Sequence, residues 1–275
     1  KFNLNFSHGF SDRAVKGHRG FTAAEYKSYL STALINKFGS IPTTDDDING
    51  VLNSTASSDL RNEMENKQAY TQNIDMGVSG GSDRISYYLS GNYFDQEGVV
   101  KNSGFKRLAF TSKVDYRATD KLTITTDIQA SYGKTKVLPD GGKFSNPIMA
   151  QYFLRPTDAL RNADGSYNFG EGNSLSNGLY NTAAVQALNN MQAQTTRVFA
   201  NLKVNYQLIK NLNYRFVFAP EYINVEEEQY RNPLHGDGYS YNGLVISGVR
   251  RYFNFNVQNI LEYSFKLGEL NNFNF

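Results

Sequence analysis

From Val198 to Gln207 the chain keeps a period of two. Val198, Ala200, Leu202, Val204 and Tyr206 fall in one phase, and Asn201, Lys203, Asn205 and Gln207 in the other, with Phe199 the exception. A period of two sends the phases to opposite faces of a sheet. The same grammar recurs along almost the whole chain, in segments of about twice the ordinary strand length of ~5–6 residues. The polar phase is rich in Asn, Lys, Arg and Asp. Long strands with one apolar and one well-hydrated face are the signature of a transmembrane β-barrel, with lipid outside and water within.

Composition is compatible with that reading. The mean hydropathy is −0.52, which does not argue against a barrel, because half of each barrel strand faces water. The longest apolar runs are a few residues, such as Phe216–Ala219, against the ~20 needed for a spanning helix. Lys and Arg number 28 and Asp and Glu 26, a net charge of +2. That balance argues against a nucleic-acid partner. There is no cysteine and no Trp, but 19 Tyr and 19 Phe, so disulfides and thiol chemistry are excluded. The chain begins at Lys1 without a leader. An exported barrel needs one, so residues 1–275 are expected to be a mature region or part of something longer.

Nine strands are predicted: Lys1–Phe6, Gln72–Ser79, Arg84–Phe94, Phe105–Tyr116, Leu122–Tyr132, the Val198 segment, Leu212–Tyr222, Arg251–Leu267, and a last one starting near Leu270. Their links alternate. Gly80–Asp83, Ala118–Lys121, Leu208–Asn211 and Gly268-Glu269 are tight turns, rich in residues suited to them. The links near residues 8–70, 95–104, 133–194 and 224–248 are longer. Bacterial barrels keep short turns inside and long loops outside, so strands three, five and seven run outward. Tyr93, Tyr132, Tyr222 and Phe253 then form an outer aromatic girdle, and Tyr116, Tyr206, Tyr214, Tyr263 and Phe265 an inner one. Arg107, Lys113, Asp127, Lys203, Arg215, Glu221, Glu262 and Lys266 line the lumen. Pro220 inside strand seven lacks a ladder donor and predicts a bulge.

The first long link predicts one short helix. Thr22 and Glu25 form a capping box, Tyr26, Tyr29, Leu30, Ala33 and Leu34 lie at helical spacing, and Gly39 is the stop. Asp45, Asp47, Asn49 and Gly50 match the opening of a calcium loop, but its twelfth position, which needs a bidentate Glu, is Ala56. A polar turn is the better reading, and calcium a weak candidate. His8, His18 and His235 fall in predicted loops, read as surface positions, and Glu226-Glu227-Glu228 reads as a solvated run just beyond strand seven. No nucleophile–base arrangement is readable; neither an enzyme nor a cofactor is expected. The third long link carries Phe144, Tyr152, Phe153, Tyr167, Phe169 and Tyr180 among Asn, Asp and Gly. Aromatic faces beside amides suit sugar rings or peptide backbones, and serve equally to pack a loop on a rim. Tyr152, Phe153 and Tyr167 are the chosen candidates for substrate or lid contact.

The hairpin Ser79-Gly80-Gly81-Ser82-Asp83-Arg84-Ile85-Ser86-Tyr87-Tyr88, continuing Ser90-Gly91-Asn92-Tyr93-Phe94-Asp95-Gln96-Glu97-Gly98, resembles the SusC/RagA family of TonB-dependent outer-membrane transporters. The likeness continues through Val114-Asp115-Tyr116. It extends to the helix after a first barrel strand and to Asn162-Ala163-Asp164-Gly165-Ser166-Tyr167. Beyond Tyr167 only the strand pattern fits. A Trp common in the family before the second strand is missing.

The resemblance implies an all-β, antiparallel barrel of about twenty-two strands, of which residues 1–275 would be one partial domain. It implies a plug, energy from the TonB complex through an N-terminal region, and a SusD-like surface lipoprotein as lid. It further implies oligosaccharide or peptide cargo and a bacterial outer-membrane location. A passive porin, a siderophore receptor and, in another class, a secreted β-sandwich adhesin remain as alternatives. The adhesin would use shorter strands with turns every ~8–12 residues.

Overall fold

The computed structural model describes residues 1–15, 17, 19–139, 145–175, 178–267 and 271–274. Nine antiparallel strands lie side by side in sequence order, β1 to β9, in one sheet. They are β1 Phe2–Ser11, β2 Ala69–Gly81, β3 Ile85–Glu97, β4 Gly104–Arg117, β5 Leu122–Lys136, β6 Asn190–Ile209, β7 Leu212–Arg231, β8 Leu244–Leu267 and β9 Asn271–Asn274. The expected count and the sequential antiparallel order hold. His18, Phe144 and the turn Gly268-Glu269 lie outside the described residues, as does the side chain of Lys266.

The register stacks like on like. Leu4 faces Met76, Tyr93 faces Leu108, Leu108 faces Tyr132, and Tyr222 faces Phe253. On that face Leu108 is 56% exposed, Phe253 66% and Leu261 59%, which is the surface lipid must cover. Polar residues interrupt it in places: Asn259, for example, lies opposite Phe216, and its Oδ1 accepts a 2.6 Å bond from the Tyr214 hydroxyl. The other face is a ladder of cross-strand pairs. Lys113 meets Asp127 at 3.8 Å, Arg197 meets Glu221 at 2.5 Å, Arg215 meets Glu262 at 3.1 Å, and Arg250 meets Glu227 at 2.6 Å. A hollow of about 490 Å³ lies near the mouth, and one of about 430 Å³ lies on the polar face, lined by Thr111, Gln129, Ser131, Arg197, Phe199 and Glu221.

The hairpin joining β2 to β3 shows why its residues are glycines. A Cβ on Gly81 would sit 2.5 Å from the Ile85 carbonyl oxygen, and one on Gly80 would sit 2.6 Å from the Tyr87 hydroxyl. The turn needs a bare backbone, and the aromatic ring lies over the gap a missing side chain leaves.

Several expectations are corrected. The strands run further outward than their apolar phase: β6 and β7 have 20 residues each and β8 has 24. The ladder continues above the apolar band because paired backbone needs no lipid. Glu226, Glu227 and Glu228 accordingly belong to β7, not to a loop, and His8 belongs to β1. Pro220 makes no bulge. Phe199 faces Glu221 and Leu202 faces Phe218 in one register, and Pro220 itself stays opposite Phe255. The register shift lies instead at Gln207/Ile209, beside the turn. In place of one helix there are five among the described residues: α1 Ala23–Phe38, α2 Asp46–Asn53, α3 Leu60–Met64, α4 Pro147–Phe153 and α5 Thr182–Leu188. The capping box and the Gly39 stop of α1 are as expected. Its inner stripe is rotated, though: Ala23 and Leu34 are buried, whereas Tyr29 is 63% exposed and stacks on Phe21.

Candidate functional site

A single sheet has no inside, so the wall holds no hydrophobic core of its own. The core lies among the outer loops: Met64, Ala150, Leu154, Leu160, Leu179 and Ala183, with Leu60, Tyr167 and Leu175 packed against them. Met64, fully buried at the end of α3 in the first long link, is surrounded by residues of the third. The two links therefore fold as one cap over the outer end of the strands.

Polar contacts fix the same junction. Glu65 is 6% exposed; it takes Arg13 at 2.5 Å, Arg61 at 3.0 Å and the Gln151 amide at 2.8 Å. A carboxylate with three donors is satisfied despite its burial. Arg155, after α4, grips Asp47 of α2 through two bonds of 2.8 and 3.0 Å. That guanidinium, chiefly through its hydrogen bonds, holds the Asp47 carboxyl below the usual carboxylate range. The Gln186 amide of α5 donates to the carbonyls of Met64 and Lys101, bringing in the β3–β4 hairpin.

The fourth outer loop contributes His235. The sequence reading placed it at the surface; its accessibility is 0%. Its Nε2 accepts the Asn181 backbone N–H at 2.7 Å, so in the neutral ring Nδ1 carries the proton. Phe169 stacks on it at 5.1 Å and Tyr180 meets it edge-on at 5.6 Å. Burial pushes its pKa down to about 4. Sequence gave no sign of this, because nothing local to His235 shows that loop three folds over it.

Of the candidate contact residues, Tyr152 and Phe153 share α4, whose start is set by the Asn146 side chain accepting from Ile148 and Met149 at 2.9 and 3.1 Å. Pro147, at the first turn, supports that start. Ala150 and Leu154 face the core, while Ile148, Met149, Tyr152 and Phe153 are 40–54% exposed. This face, missed in sequence apart from its two aromatics, was legible from the Asn-Pro start followed by an apolar run. Tyr152 also lines a cleft of about 300 Å³ with Arg13, Arg19, Phe21, Arg61 and Gln151. Tyr167 is not grouped with them: it packs on the core with the Arg161 guanidinium 4.4 Å over its ring.

The calcium candidates are engaged elsewhere. Asp45 caps α2 by accepting from the Ile48 N–H at 3.0 Å, Asp47 holds Arg155, and the Asn49 amide donates to the Thr43 carbonyl at 2.8 Å. The segment is helical from Asp46, and a helix turns ligands at alternate positions away from one another. Among the described residues no group of three or more acidic or His side chains is placed to hold a metal.

No family model matches the chain. Over 200 residues it is 29% identical to TonB-dependent receptor P26 of Formosa agariphila, covering 72% of this chain and 19% of that protein. TonB-dependent receptor P3 of the same organism is 28% identical over 206 residues, with 72% and 20% covered. TonB-dependent receptor P39 is 26% identical over 240 residues, with 83% and 22% covered. The chain thus spans about a fifth of the length of these curated relatives. In fold it matches the RagAB peptide transporter at a TM-score of 0.68 and 16% identity, over 97% of this chain and 32% of that one. The "closed-closed" state of the RagAB peptide importer gives 0.66 and 16%, over 98% and 33%.

Proposed function

We infer that this chain, a stretch of barrel wall from a TonB-dependent receptor of SusC/RagA type, serves the import of a large nutrient across the bacterial outer membrane. The nutrient is an oligosaccharide or a peptide, and a SusD-like lipoprotein acts with the barrel as a lid. The observation that carries the reading is the division of the molecule. A two-faced wall of nine strands supports an ordered cap whose core is built by Met64 and residues of the third link. A passive pore needs the wall only; a cap folded this firmly is a surface for recognition. Tyr152 and Phe153 present their rings outward from that cap, where apolar area beside the Gln151 amide and the Arg13 and Arg61 guanidiniums suits a sugar or a peptide. Movement through the wall is transport, not chemistry.

The test uses the full-length protein with its lipoprotein in cells. Uptake that stops when TonB is deleted, and falls about tenfold in Tyr152→Ala/Phe153→Ala at normal surface expression, supports the reading. Uptake independent of TonB returns the protein to the porins. Normal uptake and normal lipoprotein co-purification in the double variant would make these aromatics merely structural.

A further inference from the structure

The outward face carries a group of lysines that neither the ion-pair ladder of the lumen nor the cap uses. Lys106 on β4 lies directly opposite Lys134 on β5, and Lys136 follows two residues on. Both rows belong to the phase of Leu108 and Tyr132, which is the lipid-facing phase. Like charges directly opposite each other in an antiparallel pair are destabilising, so the arrangement calls for a counter-charge. Lys106 has part of one: its ammonium is 2.9 Å from Asp95 Oδ2, which also accepts from the Tyr93 and Tyr70 hydroxyls at 2.9 and 3.1 Å. That oxygen already has three donors, and Asp95 is 5% exposed. Lys134 and Lys136 have no ion-pair partner among the described residues. Three carboxylates share these rows at one strand's remove: Glu97 beyond Gly104 and Glu228 beyond Gln192 in the row of Lys136, and Glu226 beyond Gln194 in the row of Lys134; among the described residues none is within ion-pair distance of Lys134 or Lys136. The Tyr132 hydroxyl donates to Gln194 Oε1 at 2.8 Å, and Gln194 lies opposite Lys134. The Gln194 amide therefore stands beside Lys134 with its oxygen already engaged.

The height of the group selects the counter-ion. Lys106 and Lys134 stand two residues outward of Leu108 and Tyr132. At ~3.3 Å per residue and a tilt of ~40°, two residues rise ~5 Å above the aromatic girdle. That is the headgroup level, where an apolar surface gives way to phosphate. We propose that Lys134 and Lys136, with Lys106 and the Gln194 amide, form a binding site on the outer wall for the phosphate of an anionic membrane lipid. The lipid's chains lie along Leu108 and Phe110, and its phosphate supplies the charge that the opposed lysines lack. The site rests on the outward direction of this face, not on what the transporter carries.

The experiment reads the site locally. In the full-length transporter, reconstituted in phosphatidylcholine vesicles, a bimane fluorophore is attached at Thr196→Cys, on the strand beside Tyr132, in an otherwise cysteine-free background. Nitroxide-labelled phosphatidylglycerol is compared with nitroxide-labelled phosphatidylcholine as quencher. A basic residue near an anionic surface is worth roughly a fivefold preference, so two should give roughly a twentyfold preference for the anionic lipid. Lys134→Gln/Lys136→Gln should bring the ratio close to one, while Lys134→Arg/Lys136→Arg, which keeps charge and serves as the control for folding, should retain it. Lys113→Gln, on the polar face, should leave it unchanged. Equal quenching by both lipids in the unmodified wall, or the same preference in the glutamine variant, would overturn the proposal. So would loss of the preference on adding inorganic phosphate at the concentration of the labelled lipid, which would make the site one for free anions.

Discussion

Lowering the pH should loosen the cap before it affects the wall, and His235 sets the range. In the folded cap the imidazole is neutral: Nε2 accepts from Asn181, the ring is wholly buried against Phe169 and Tyr180, and burial pushes its pKa down to about 4 from an ordinary 6.5. Released to water, the ring regains the ordinary value. The open cap therefore binds the proton more readily than the closed one, and stability must fall as pH falls. The loss begins near pH 6.5 and is complete near 4. The gap of two to three pK units corresponds to about 3 kcal/mol at ~1.4 kcal/mol per unit. A local opening that costs only a few kcal/mol would then be common at pH 4. Hydrogen exchange of the Asn181 and Ala184 amides, corrected for intrinsic rate, measures this opening. Protection should fall by about two orders of magnitude between pH 7 and pH 4, while amides of β4 and β5 keep theirs. In His235→Phe the loss of the Asn181 partner should lower protection at every pH by a factor of about ten, and the acid dependence should vanish. Protection that falls equally in His235→Phe, or that stays constant in the native protein down to pH 4, would refute the reasoning.

Two further outcomes follow from the separation of cap and wall. Met64→Ala removes a fully buried side chain from the centre of the cap and should cost about 2–4 kcal/mol of cap stability; protease sensitivity should rise in the link between β5 and β6, with the barrel still resisting detergent at room temperature. Leu261→Arg places a charge on the lipid-facing phase of β8 and should cost about 2–4 kcal/mol if it lies near the bilayer midplane, lowering the urea midpoint for folding into vesicles, whereas Gln258→Arg on the opposite phase should be near neutral.

The wall was legible because its physics is local and repetitive. Each strand must show lipid one phase and water the other, so Leu108, Tyr132 and Val198 declare their face residue by residue, and short turns against long links give direction. What the pattern could not give was the outer extent of β6, β7 and β8. Above the bilayer no solvent contrast enforces alternation, so Glu226-Glu227-Glu228 reads as a loop although its backbone is paired to β6 and β8. The cap was legible only where a helix carries its own punctuation, as α1 does at Thr22, Glu25 and Gly39. The other helices are 5–8 residues long. Helices of that length are not stable alone and owe their form to tertiary packing. Of the aromatics chosen as contact candidates, Tyr152 and Phe153 are exposed whereas Tyr167 packs on the core, and Tyr167 could not be told from them without knowing where Met64 sits.

Phe199 was the one apolar residue out of phase in the strand that most clearly announced the fold, and the structure gives it a setting. It lies on the polar face opposite Gln129 and Glu221, lining a hollow with Thr111, Ser131 and the Arg197–Glu221 pair. Small residues on neighbouring strands open the hollow, and a charged pair that neutralises itself bounds it without giving it a net sign. A half-buried aromatic ring among amides and paired ions offers apolar area without binding charge. The wall thus presents much of its charge as opposite-sign pairs, while the cap holds Arg13, Arg61 and Glu65 in a fixed geometry beside Tyr152.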